Sequence, residues 1–272
     1  MKHYYSSILI TAFLLLSPTL LQAKDPYPGQ TVFGSMKFGL NTKINLPPGE
    51  WTVAGIAKKN GGIRPVDLIL IQSIDDKISA IMNIRYARDK GKTQGWDVVG
   101  GWIPDETIKN NTCDDYDDQK SNYHYQKIDK KRQNLIIQGS CIAIYALNDV
   151  YNFNELALDN SISEAFEMAE NYIQNKNLNY PNAMVFIDNT YFVEENYVQT
   201  YFAINPELKN IKSRSEVYFK DSNWHKYNIN KHPEKKSFMN DAIFIGQQVF
   251  DDNIRAFIKG KTLDFYRYES LF

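Results

Sequence analysis

Apolar and polar residues recur along this chain with two distinct periods, and those periods place most of its elements. Within residues 43–57 an extended run is followed by Pro47-Pro48-Gly49, a turn signal. A second strand follows, in which Trp51, Val53 and Gly55 alternate with Thr52 and Ala54. Val66–Ile74 and Lys77–Arg88 are β-branched apolar runs separated only by Asp75-Asp76, the pattern of a hairpin near the middle of a sheet. Leu68, Ile69, Leu70 and Ile71 are apolar at successive positions, which predicts cover on both faces. Ile78, Ala80, Met82 and Ile84 alternate with Ser79 and Asn83, which predicts a strand covered on one face.

A second hairpin is expected over residues 123–129 and 134–147, turning at 130–133, with Cys141 in its returning strand. Residues 161–175 read as a helix: Ile162, Ala165, Phe166, Ala169, Tyr172 and Ile173 make one apolar face, and Ser161 with Glu164 matches a capping box. Residues 183–187 and 197–204 read as strands, with 188–196 as the connection and Asn205-Pro206 as the break that follows. A last helix is expected from Pro233 to just before Gly260, because proline suits a first helical turn and glycine the position past an end. Phe238, Ala242, Ile245 and Val249 line up beside Met239, Ile243, Gly246, Phe250, Ile254 and Phe257, giving a broad face suited to docking on a sheet. Residues 263–272 read as a last strand-like segment. The architecture predicted is α+β, an antiparallel β-meander with two amphipathic helices packed on the sheet.

The N-terminus changes the picture of where this domain works. Met1, Lys2 and His3 precede a low-charge run of 14 residues, 8–21, that ends in Leu21-Gln22-Ala23. A membrane-spanning helix needs roughly 20 apolar residues, whereas the core of a secretory signal takes about 7–15 and ends at small residues. Residues 1–23 are therefore read as a cleavable signal peptide and 24–272 as a single α+β domain, with 150–160 the place where it would subdivide. No Cys follows the apolar core, which disfavours a lipid anchor. Export leads to the periplasm or beyond the cell, and only Cys113 and Cys141 remain in the mature chain, an even number suited to one disulfide.

Composition narrows the function classes. Removing residues 1–23 takes one Lys and no acid, leaving 30 basic against 32 acidic residues, a net charge of −2. Nucleic-acid binding relies on clustered Lys and Arg, and the short clusters here (Lys127, Lys130, Lys131 and Arg132; Lys231, Lys235 and Lys236) lie among acids and read as solvated surface. His124, His225 and His232 have no neighbour at metal-ligand spacing, and His232 before Pro233 reads as the lead-in to a helix. There is no nucleophile elbow, phosphate loop or dinucleotide turn.

Two local clusters remain as candidates. Asp114, Asp115, Asp117 and Asp118 beside Cys113 are the carboxylate type that Ca²⁺ takes, but the spacing lacks the central Gly and the distant Glu of an EF-hand. A solvated acidic loop is the favoured reading and calcium the minor one; no other cofactor is expected. Trp96 and Trp102, flanking Gly100-Gly101, could stack on a ligand, although in a β-rich domain such residues more often complete the core.

INLPPGEWTVAG near the mature start, a Cys in a mid-chain strand and HPEKKSF leading into an amphipathic helix together resemble uncharacterised exported proteins of Gram-negative bacteria. The resemblance implies no activity. The sequence is read as an exported, non-catalytic binding or interaction domain whose partner is an envelope protein or a small ligand, with no nucleic acid and no transmembrane span in the mature chain. The rival is a secreted hydrolase using two facing carboxylates among Asp97, Asp105, Glu106, Glu194 and Glu195. Mass mapping of the mature protein without reductant should recover Cys113 and Cys141, 28 positions apart, as one linked peptide pair. Reduction should cost roughly 3–4 kcal/mol of stability. Two free thiols would contradict the pairing.

Overall fold

The computed structural model describes residues 26–38, 42–58, 66–88, 123–133, 136–148, 164–193, 196–213 and 221–272. Its strands are β1 Thr31–Val32, β2 Ser35–Phe38, β3 Thr42–Asn45, β4 Trp51–Lys58, β5 Val66–Ile74, β6 Lys77–Arg88, β7 Tyr123–Gln133, β8 Ile136–Asn148, β9 Ala183–Val193, β10 Asn196–Ile204 and β11 Leu263–Asp264. Its α-helices are α1 Glu164–Asn175 and α2 Pro233–Ile258. Eight strands form one antiparallel sheet in the order β1-β4-β5-β6-β10-β9-β8-β7, and β11-β3-β2 form a small second sheet. Strands from before and after residues 150–160 are neighbours in the large sheet. The fold is the predicted α+β class, with helices docked on a meander.

Alternation along each strand divides the core in two. Val53, Leu68, Leu70, Met82, Ile84, Ile144, Ile187 and Phe202 belong to a cluster with Phe238, Met239, Ala242, Val249 and Phe250 of α2. Ala54, Ile69, Ile71, Ile81, Ala143 and Phe186 belong to another with Ala165, Phe166, Ala169 and Ile173 of α1. The helices thus sit on opposite faces and near opposite ends, α1 over β4 and β5 and α2 over β9, β8 and β7. The C-terminal segment covers the rest of the α2 face. Tyr268 stacks on Phe202 at 4.5 Å between ring centroids, with Trp51 at 6.2 Å and Phe272 at 6.1 Å from the same ring.

The β5–β6 hairpin forms at its predicted bounds, with Asp75 at φ 55° in the turn. Other boundaries moved. The second hairpin runs longer than expected on its first strand, so β7 continues through the residues read as its turn. Residues 188–193 continue β9 instead of connecting two strands, because their backbone pairs with β10 and β8 throughout. β6 is covered on both faces: Ser79 is 0% and Asn83 4% exposed, against the one-sided expectation. At the C-terminus only Leu263–Asp264 is strand, and Tyr266–Leu271 is a 3-10 helix that brings Tyr268 and Leu271 into the core.

Two helix contacts depend on glycine. A Cβ on Gly55 would stand 1.9 Å from the Ala165 carbonyl oxygen, so the backbone of α1 lies directly against β4. On Gly246 a Cβ would meet the Ile144 Cδ1 at 2.8 Å, Ile187 Cγ2 at 3.3 Å and Ile142 Cδ1 at 3.4 Å, side-chain ends that can shift. Gly55→Ala should therefore cost about 3 kcal/mol or more, while Gly246→Ala, offset by the better helix propensity of alanine, should cost about 1 kcal/mol or less. Urea unfolding of both variants checks the order; equal losses would contradict the close α1 approach.

Candidate functional site

Register across the large sheet aligns side chains in rows on the face that carries α1. From β5 through β6, β10 and β9 to β8, one row reads Ile71, Ile81, Ala203, Phe186, Tyr145. The next reads Ile69, Asn83, Tyr201, Asp188, Ala143, and the one after it Asp67, Arg85, Gln199, Thr190, Cys141. The first row is apolar and its Tyr145 and Phe186 rings stack at 5.2 Å. The other two carry seven polar side chains in the middle of a sheet. Of these, Asp67, Asn83, Asp188, Thr190 and Gln199 are each 7% exposed or less.

A β-bulge makes this alignment. Near the hairpin turn, Ser73 faces Ile78 and Ile74 faces Lys77, but beyond it Gln72 faces Ala80, so Ser79 is an extra residue. Without that insertion Asp67 would face Ile84 instead of Arg85, and an apolar side chain would oppose the carboxylate. Asn205, buried at 1%, holds the bulge by donating from its backbone N–H to the Ser79 carbonyl at 2.9 Å and from Nδ2 to the Ile78 carbonyl at 2.9 Å.

Within the polar rows the Arg85 guanidinium donates from Nε to Asp67 Oδ1 at 2.7 Å. Burial works against the Arg85 charge, but the Asp67 carboxylate beside it more than compensates and holds the guanidinium above its ordinary pKa. Tyr197 donates from its hydroxyl to Gln199 Oε1 at 2.7 Å, and Gln199 donates from Nε2 to the Tyr201 hydroxyl. Burial pushes the Asp188 carboxyl well above the usual carboxylate range, against the pull of Gln199 and of the Arg85 charge. It likewise raises the Tyr197 and Tyr201 phenols, which stay protonated.

Asn83 Oδ1 and Nδ2 and Asp188 Oδ1 are buried without a hydrogen-bond partner among the described residues, and Thr190 Oγ1 has only a loose contact with the Tyr197 hydroxyl. Leaving such groups unpaired costs about 1–3 kcal/mol each. On the opposite face the same two strands carry Asn189, whose Nδ2 donates to the Tyr268 hydroxyl at 3.1 Å, and Thr200. A polar band therefore crosses the sheet at β9 and β10.

Most sequence candidates are not among these residues. Trp96, Trp102, Cys113, Asp114, Asp115, Asp117 and Asp118 lie outside the described residues, as do Asp97, Asp105, Glu106, Glu194 and Glu195. Cys141 stands in β8, 4% exposed and opposite Thr190. Among the described residues no three His, Cys, Asp or Glu side chains group as metal ligands, and no helix is long and apolar enough to cross a membrane. His232 stands at the N-cap position of α2 without a side-chain capping bond, and His124 hydrogen-bonds through Nε2 to the Trp224 carbonyl at 2.7 Å. The sequence reading missed Asp188 and Thr190 because Asp-Asn-Thr looks like a connection. The signal available was Tyr191-Phe192-Val193, a strand-forming run that resumes beyond the triplet.

No family model and no curated protein matches the chain. Among solved structures, the gene product SA0254 of Staphylococcus aureus matches at 12% identity over 57% of this chain and 81% of its own, with a TM-score of 0.22. The C-terminal domain of YurK from Bacillus subtilis matches at 12% identity over 52% and 72%, with a TM-score of 0.19. Likeness at that level carries no argument about this chain.

The raised pKa of Asp188 fixes the sign of a pH effect. Below the unfolded value of about 3.9 both states hold the proton. As pH rises past it, the unfolded chain releases a proton that the folded protein keeps, so the stability contributed by the neutral carboxyl is lost towards the folded pKa. Asp188→Asn should match the wild type near pH 3 and exceed it by roughly 1–3 kcal/mol at pH 7. Parallel stability curves would contradict a protonated Asp188.

Proposed function

We propose that the protein is an exported, non-catalytic binding domain of the periplasm or envelope, and that the polar rows on the α1 face are its ligand site. The observation that carries this reading is the concentration of buried polar side chains in the centre of the sheet, with unpartnered atoms on Asn83 and Asp188. A fold optimised for stability alone would place apolar residues there, since each such group is costly unless something pairs with it. Export rests on the signal-like residues 1–23 and on the resemblance to exported proteins of Gram-negative bacteria. The proposed link between Cys113 and Cys141 suits that compartment, and no free cysteine occurs among the described residues.

Catalysis by a carboxylate pair finds less support in this set. Asp67 and Asp188 stand on β5 and β9, three strand spacings or about 14 Å apart across the sheet and one row or about 7 Å apart along it. Glycosidase pairs work at about 5–10 Å. The Asp67 carboxylate is, moreover, held by Arg85. Expression of the full-length chain in a Gram-negative host should release by osmotic shock a product shortened by about 23 residues. Native mass spectrometry of that product, isolated gently from envelope fractions, should show an added non-covalent mass. A full-length product in the cytosol would overturn export, and a bare mass in every preparation would overturn binding.

A further inference from the structure

We infer that the face formed by residues 209–213, 221–231 and the first turn of α2 docks on a membrane surface rich in anionic phospholipid. The fold gathers this face from three stretches of chain. Trp224, 1% exposed, donates from Nε1 to Ser213 Oγ at 2.8 Å, and Lys235 Nζ lies 5.5 Å from the centroid of its ring. Lys235 in turn donates from Nζ to the Lys212 carbonyl at 2.7 Å. The 3-10 turn Ile229–Lys231 then leads into α2 at Pro233. Ile211, Trp224 and Ile229, the apolar underside of the face, belong to the α2 core, so it stands apart from the polar rows and does not depend on them.

Charge complementarity identifies the partner. The described residues between 209 and 236 hold Lys209, Lys212, Lys226, Lys231, Lys235 and Lys236 against two acids, Asp221 and Glu234, whereas the rest of the chain holds 25 basic and 30 acidic residues. Lys209, Lys212, Lys231 and Lys236 are exposed and form no ion pair among the described residues, while Glu234 faces the buried Lys235 at 3.5 Å. Lys235 and Lys236 also stand in the first turn of α2, the end of the helix dipole that disfavours cations, so helix stability does not account for them. All six are lysines, compact hydrated charges suited to diffuse attraction and not the planar forks that grip one phosphate. Clustered lysines of this kind are drawn to anionic lipid. Tyr227, 76% exposed, stands beside them with Lys226 Nζ 5.5 Å from its ring centroid. An amphipathic ring in that position suits the headgroup layer.

Sedimentation with vesicles tests the face, using the protein produced from the full-length chain. Phosphatidylcholine vesicles with about 30% phosphatidylglycerol should bind it and pure phosphatidylcholine should not, and the binding should weaken about tenfold or more between about 0.1 and 0.5 M salt. A variant combining Lys209→Gln, Lys212→Gln, Lys231→Gln and Lys236→Gln, first shown to melt as the wild type does, should bind about a hundredfold more weakly, at roughly fivefold per lysine. The same change at Lys37, Lys43, Lys77 and Lys176, exposed residues outside the face, should stay within about twofold of wild type. Equal losses in the two variants would overturn the location. Equal binding to both kinds of vesicle would overturn the role of charge. Retention on dextran sulfate without binding to the vesicles would assign the face to an acidic polymer and overturn the lipid partner, and binding to neither would overturn the docking itself.

Discussion

A sheet covered on both faces has no solvent side on which to place its polar residues. Here α2 with the C-terminal segment closes one face, α1 packs over β4 and β5 on the other, and the side chains of the central strands are buried on both faces. In most of the sheet the residues obey that constraint, as Leu68 to Ile71 do with four successive apolar side chains. At β9 and β10 they break it on both faces, and the energetic problem this creates organises the surrounding structure. Burying a charge is tolerable only with a partner, so Asp67 must meet Arg85. Burying a carboxyl without an ion-pair partner favours its protonated form, and for Asp188 burial outweighs the pull of Gln199 and of the Arg85 charge.

The partnering depends on register. One extra residue, Ser79, shifts the β5–β6 pairing so that Arg85 opposes Asp67, and Asn205 clamps the backbone on either side of it. A second irregularity, between Val53 and Gly55, occurs where α1 presses its Ala165 carbonyl against β4. Both bulges therefore act at a distance from themselves: one aligns the polar rows, the other seats the helix on the same face. Bulges commonly re-aim side chains in this way.

Local signals in the sequence carried far. The Asp75-Asp76 hairpin, the apolar stripe of α1 and the Pro233 start of α2 are each fixed by neighbours within a few residues, and their positions were legible. Asp188-Asn189-Thr190 was misread because strand propensity weighs side chains singly, while pairing on both sides held this polar triplet in the sheet. The ion pair was likewise invisible: simple hairpin counting from the turn pairs Asp67 with Ile84, and only the bulge changes that. The site thus sits where local propensity and tertiary structure disagree, which is where functional residues are to be expected.

The protonation state of Asp188 tests this account most directly. A ¹³C-labelled aspartate sample followed by NMR through the pH range, with Asp188→Asn to assign the resonance, reads it without reference to stability or ligand. The account predicts a carboxyl that keeps its proton to a pH well above the ordinary range of an aspartate. A carboxyl that ionises near pH 4 would mean that the centre of the sheet is solvated, and would contradict the account.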